Sequence, residues 1–231
     1  MTISEAMDIT RSLCGKPDVD PLLLRFAMDE GRREIERLGN YYWMAQKIAL
    51  NLFEDVQEYS ITTASGNGFD LSDFKIHRYA FMKAESASDD SDVEWYKLPI
   101  GSHSDAMDVA QSDDEGRPEA ASIENTTFFC YPTPDQVYDL QFFYFGWTTN
   151  ASDITDTDEL FTRWPMMIIA AALSVLVPLV TKNKEDAAFW LKMRDDEIEK
   201  AKDFTNKRLG EPANQMSASE AAKILQAQVG Q

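Results

Sequence analysis

Histidine and cysteine are the scarcest chemistry-bearing residues of this 231-residue chain, with two of each. Cys14 and Cys130 fit neither a disulfide framework nor a paired metal motif, and read as buried free thiols. His77 lies within a strand-like pattern and His103 in a loop after Gly101 and Ser102. No nucleophile elbow accompanies either, so the usual set of nucleophile, base and orienting group is missing. Basic residues are outnumbered 22 to 40 by acids, a formal charge of −18. That balance argues against a grip on nucleic acid built from phosphate neutralisation. Gly66 to Gly68 form a turn without the further glycine, the lysine and the helix of a phosphate loop. The first eleven residues carry two acids, one arginine and no apolar run. No signal peptide is expected, and a cytoplasmic site of synthesis follows.

Long hydrophobic runs are also rare. Trp164 to Val180 is uncharged for 17 residues, at the short limit of the roughly 17 to 25 that cross a bilayer. With no flanking basic cluster and no second span, it reads as a helix shielded on all sides by protein, so no membrane partner is expected.

What is present is enough apolar sequence, 44% of residues, to bury a core in one large domain or two small ones. Thr2 and Glu5 have capping-box spacing ahead of a short amphipathic helix that Gly15 ends. A second helix starts at Asp20-Pro21, with Leu24, Met28, Ile35 and Leu38 on one face and Gly39 after it. Its other face, Arg25, Arg32, Arg33, Glu36 and Arg37, reads as solvated. From Trp43 the period becomes two, with Ile48, Leu50 and Leu52 alternating with Lys47, Ala49 and Asn51. Strands are predicted around Tyr59, from Phe74 to Ser86 and near Tyr96, and a long connection runs from Gly101 to Ser122. Helical patterns return over residues 156–180 and 183–210, and the tail from Asn214 to Gln231 is small and polar.

The expected class is α+β, a helical bundle of N- and C-terminal helices with a central antiparallel β domain inserted and an extended C-terminal arm. The domains are 1–42, 43–150, 151–210 and the arm 211–231.

The densest feature is the aromatic stretch Phe128 to Trp147, "FFCYPTPDQVYDLQFFYFGW". Pro132, Thr133, Pro134 and Asp135 read as the corner of a β-hairpin. With Asp135, Asp139 and Gln141 but no Lys or Arg among the rings, it makes a poor base-stacking platform. Along its second strand Tyr138, Leu140, Phe142 and Tyr144 share one face. Asp139, Gln141, Phe143 and Phe145 share the other, which is polar at one end only. Phe143 and Phe145 are therefore the candidate contact with a second domain or subunit. Acid runs at Asp89, Asp90 and Asp92, and at Asp113, Asp114 and Glu115, lack the positions of a calcium loop. They motivate an alternative class, a carboxylate-dependent hydrolase such as a cell-wall-degrading enzyme. No metal or other cofactor is expected.

The order of features resembles the head-to-tail adaptor (connector) family of tailed bacteriophages, short-tailed type, over roughly Ile3 to Leu209. The likeness rests on three stretches. One is "DPLLLRFAMDEGRREIERLGNYYWMAQKIALNLFEDVQEYSI", a helix, an aromatic cluster and a strand ending at Glu58, Tyr59 and Ser60. The second is the approach Gly116 and Pro118, the Pro132 and Pro134 corner, and a Tyr- and Phe-rich strand. The third is the acidic loop before Phe161, Trp164 and Pro165. It departs in carrying Ile61-Thr62 where many members place Leu-Pro, and in a longer acidic loop. The resemblance implies a virion structural protein, not an enzyme. Such a protein forms a homo-oligomeric ring of twelve subunits beneath the portal protein, extends the DNA channel without specific DNA binding, and gives tail or nozzle proteins a platform. It also implies a C-terminal arm reaching the portal, here with Ile224, Leu225 and Val229 as the apolar candidates.

Overall fold

The computed structural model describes residues 1–62, 67–84, 95–109, 115–148 and 158–209. Its helices are α1 (Ile3–Leu13), α2 (Pro21–Leu38), α3 (His103–Val109), α4 (Glu159–Arg163), α5 (Pro165–Val180) and α6 (Lys184–Leu209). The strands are β1 (Ala45–Leu52), β2 (Glu58–Ser60), β3 (Phe74–Ala84), β4 (Tyr96–Leu98), β5 (Ile100–Gly101), β6 (Glu115–Gly116), β7 (Ala120–Glu124), β8 (Thr127–Tyr131), β9 (Thr133–Pro134) and β10 (Tyr138–Gly146). The fold is mixed helix and sheet with mainly antiparallel pairing, in agreement with the α+β class. Two compact units are present, one from the described residues of Met1–Met44 and Thr148–Ala213, the other from those of Ala45–Trp147.

In the helical unit, local signals set the starts of the first two helices. The Glu5 backbone N–H donates to Thr2 Oγ1 at 3.2 Å and the Thr2 N–H to Glu5 Oε2 at 2.8 Å, a closed capping box. At α2 the Leu22 N–H donates to Asp20 Oδ1 and Pro21 takes the first turn, where its missing donor costs nothing. Packing centres on α5, which contacts α1, α2, α4 and α6. Residues Met167 to Leu173 of that helix are all at most 1% exposed, which is why its sequence is apolar all round. Among the described residues no helix is long and apolar enough to cross a membrane.

The charged face of α2 is not wholly solvated, as its composition suggested. Arg32 and Glu36 are 7% and 2% exposed. Arg32 Nε donates to Thr148 Oγ1 at 2.8 Å and pairs with Glu36 Oε1 at 3.3 Å, while its NH2 reaches Asp158 Oδ2 at 2.6 Å. The Thr148 hydroxyl in turn donates to Glu36 Oε1. Asp158 also caps α4 by accepting from the Phe161 N–H. Burial is tolerable because each charge is paired and hydrogen-bonded. A second buried base, Arg194 of α6, pairs with Glu34 of α2 at 2.6 Å and with Asp195. Leu191 of the same helix is 38% exposed.

The β unit holds two four-stranded sheets, ordered β1-β10-β3-β4 and β2-β8-β7-β5, with β5 parallel to β7. Their facing side chains form one core, with Met82, Leu98, Leu140 and Phe142 from the first sheet and Phe128 and Cys130 from the second. The Phe128 to Trp147 stretch is consequently no hairpin. Strand β8 pairs with β2 and β7, whereas β10 pairs with β1 and β3. Pro132 and Pro134 have no N–H to extend a ladder, and β9 between them pairs in parallel with β6. The chain thus changes sheet at this corner. The rings it carries meet across the core, Phe128 edge-on to Phe142 at 6.1 Å.

Candidate interaction surface

Alternation along β10 sends Tyr138, Leu140, Phe142 and Tyr144 into the core and leaves Asp139, Gln141 and Phe143 on the opposite face of the sheet. Phe143 is half-buried and Phe145 is 8% exposed. The ladder places Lys47 of β1 on one side of Phe143 and Tyr79 of β3 on the other. The Tyr79 and Phe143 ring centroids are 4.5 Å apart, and Phe81 meets Phe143 edge-on at 6.1 Å.

Every one of these outward rings has a cation or another ring against it. Lys47 Nζ lies 5.4 Å from the Phe143 centroid. The register shifts between Phe143 and Tyr144, leaving Arg78 as the extra residue on β3. Its guanidinium stands over both Tyr79, at 5.0 Å, and Phe145, at 5.1 Å. Toward the other end of the sheet Lys83 lies 5.3 Å from the Trp95 ring and 3.3 Å from Asp139. Such contacts are each worth about 0.5–1 kcal/mol when exposed. The four strands of this sheet carry five basic residues, Lys47, Lys75, Arg78, Lys83 and Lys97, and one acid, Asp139. A scan along Phe128 to Trp147 finds no base because the bases belong to the flanking strands. Cross-strand register, and not spacing in sequence, brings Lys47 to Phe143 and Arg78 to Phe145.

The face is cationic, yet its rings are unsuited to stacking on bases. Phe143 is held between Tyr79 and Lys47, so its π-faces are already used.

An acidic counterpart lies at one corner of the same unit. Backbone bonds from Asp55 N–H to the Pro134 carbonyl, 3.0 Å, and from Asp135 N–H to the Gly116 carbonyl, 3.3 Å, gather Glu54, Asp55, Glu115 and Asp135. All four are exposed. The Asp55 carboxylate beside it, more than any other neighbour, pushes the Glu115 carboxyl above its ordinary range; Glu54 and Asp135 add to the effect. Among the described residues no three His, Cys, Asp or Glu side chains are grouped to hold a metal ion.

The histidines have structural surroundings. His103, at the start of α3, accepts or shares a proton with Tyr131 Oη at 3.0 Å and Ser122 Oγ at 3.3 Å from its Nδ1. Ser122 is fully buried, so its hydroxyl is closed to a substrate. Burial holds the His77 imidazole below its usual pKa and therefore neutral at pH 7. Asp89, Asp90, Asp92, Asp113 and Asp114, and the arm candidates Ile224, Leu225 and Val229, lie outside the described residues.

Neither comparison with protein-family models nor comparison with curated proteins returns a match to this chain. The functional reading accordingly rests on the chain's own residues.

Proposed function

We propose that the protein is a virion structural subunit, a head-to-tail adaptor that forms a ring below the portal of a tailed phage. The supporting observation is how the chain is partitioned. Its two ends build one helical unit around α5, and the contiguous middle builds a separate β unit. This is the arrangement that the resemblance in Phe161, Trp164 and Pro165 and in the Pro132 and Pro134 corner leads one to expect. In this reading the helices form the bundle of a twelve-subunit ring. Residues 211–231 act as the arm toward the portal through Ile224, Leu225 and Val229. The net charge of −18 keeps the passing DNA from adhering to the wall. Tail or nozzle proteins attach to the completed ring, and no covalent chemistry is asked of it.

Mixing the full chain with portal assemblies and imaging by electron microscopy tests the reading. A ring added to one end of the portal is the expected product. Its absence at every ratio and ionic strength overturns the proposal.

A further inference from the structure

We infer that the outward face of the sheet β1-β10-β3-β4 binds the acidic corner of a second copy of this chain, in a head-to-tail contact. This deepens the adaptor reading and rests on it, since it names the surfaces that would join ring neighbours.

This sheet holds five of the chain's 22 basic residues and one of its 40 acids. An acidic protein thus carries a local excess of cations beside a row of rings. Those rings position the cations: Lys47 over Phe143, Arg78 over Tyr79 and Phe145. Half-buried aromatics with arginine are the composition of interface centres. With their ring faces already covered, they offer a partner carboxylate-binding cations and apolar edges, not stacking slots.

The best complement is on the same chain. Glu54, Asp55, Glu115 and Asp135 repel one another at one corner of the β unit, and the crowding is relieved by an incoming cation. Two copies cannot join face to face, because each face is basic, nor corner to corner. Only a contact between unlike surfaces satisfies both, and repetition of such a heterologous contact closes a ring or extends a filament.

Charge reversal tests this with the full chain. Lys47, Lys97, Glu54 and Glu115 are all exposed, so their replacement leaves the core intact. The wild type is expected to associate at low salt, read as mass by light scattering or mass photometry. The variants Lys47→Glu/Lys97→Glu and Glu54→Lys/Glu115→Lys should each lose association, returning to the mass of one chain. Mixed in equal amounts they should recover it, because every face then meets a corner of opposite charge. Recovery on mixing cannot come from misfolded variants. If the wild type forms rings and both variants form them equally well, the contact is elsewhere; this inference falls while the adaptor reading stands. If the wild type stays monomeric at every salt concentration, with and without portal, both fall. If a labelled single-stranded oligonucleotide binds the wild type and is released by Lys47→Glu/Lys97→Glu, the face is a nucleic-acid site and the inference is overturned.

Discussion

Gly31 of α2 packs so closely on α5 that a Cβ at this position would stand 2.9 Å from the backbone nitrogen of Ala172. Two effects oppose each other at this site. Alanine in a helix interior is favoured over glycine by about 1 kcal/mol. Overpacking a filled core costs typically about 1–3 kcal/mol, and here the obstacle is backbone, which no rotamer change relieves. Overpacking wins, so Gly31→Ala is expected to lower stability by up to about 2 kcal/mol. Chemical denaturation of the full chain measures it, and a rise in midpoint would contradict the close approach.

The buried charges of α2 allow a sharper contrast. Removing Arg32 leaves Glu36, 2% exposed, without its cation, and breaking such a pair costs about 3–5 kcal/mol. Arg33, one residue on, is exposed and lies 3.8 Å from Glu30, where a pair is worth about 0–1 kcal/mol. Arg32→Met should therefore destabilise strongly and Arg33→Met hardly at all, by the same denaturation measurement. Equal effects would mean that Arg32 is solvated.

That contrast also shows where sequence reading ends. The capping box at Thr2 and Glu5 and the Asp20-Pro21 start were legible because their partners lie within three residues. Arg32 and Arg33 look alike in sequence. What separates them is Thr148, 116 positions away. The corner at Pro132 to Asp135 was legible as a turn but not as a change of sheet, since strand partners are nonlocal. Phe143 was singled out by its place on an otherwise polar strand face. Its cation escaped notice because Lys47 reaches it only through the ladder.

Alkaline pH should unfold the protein more readily than neutral pH. Burial pushes the Cys130 thiol up to about 12 from an ordinary 9.0. Burial, then the Glu159 hydrogen bond, raises Tyr42 to about 12, and burial, then the Asp73 hydrogen bond, raises Tyr144 to about 12, both from 10.0. Each group keeps its proton in the folded chain at a pH where the unfolded chain has lost it. Unfolding then releases protons, so stability is fully present below about pH 9 and falls as pH rises toward 12. Denaturation midpoints measured from pH 7 to 11 check this, and a flat profile above pH 9.5 would count against it. The same shift makes Cys130 inert to thiol reagents at pH 8 in the folded protein and reactive once unfolded.

Phe142 and Phe143 are neighbours on β10 with opposite duties. Phe142 is fully buried and touches Phe69, Phe74, Phe128 and Tyr144 across the core. Truncation to alanine removes those contacts and leaves a cavity that two paired sheets cannot collapse, a loss of about 3–5 kcal/mol. Phe143 is half-buried beside Tyr79 and under Lys47, and its truncation removes less area from water, about 1–2 kcal/mol by burial alone. Phe142→Ala should thus lower the melting temperature far more than Phe143→Ala. Association should respond in reverse: folded Phe143→Ala protein loses the ring that holds Lys47 and so assembles less readily than wild type at equal concentration. Melting curves and mass photometry on the same two samples separate these duties. A Phe143→Ala protein that assembles as well as wild type would leave Phe143 as packing for its own sheet alone.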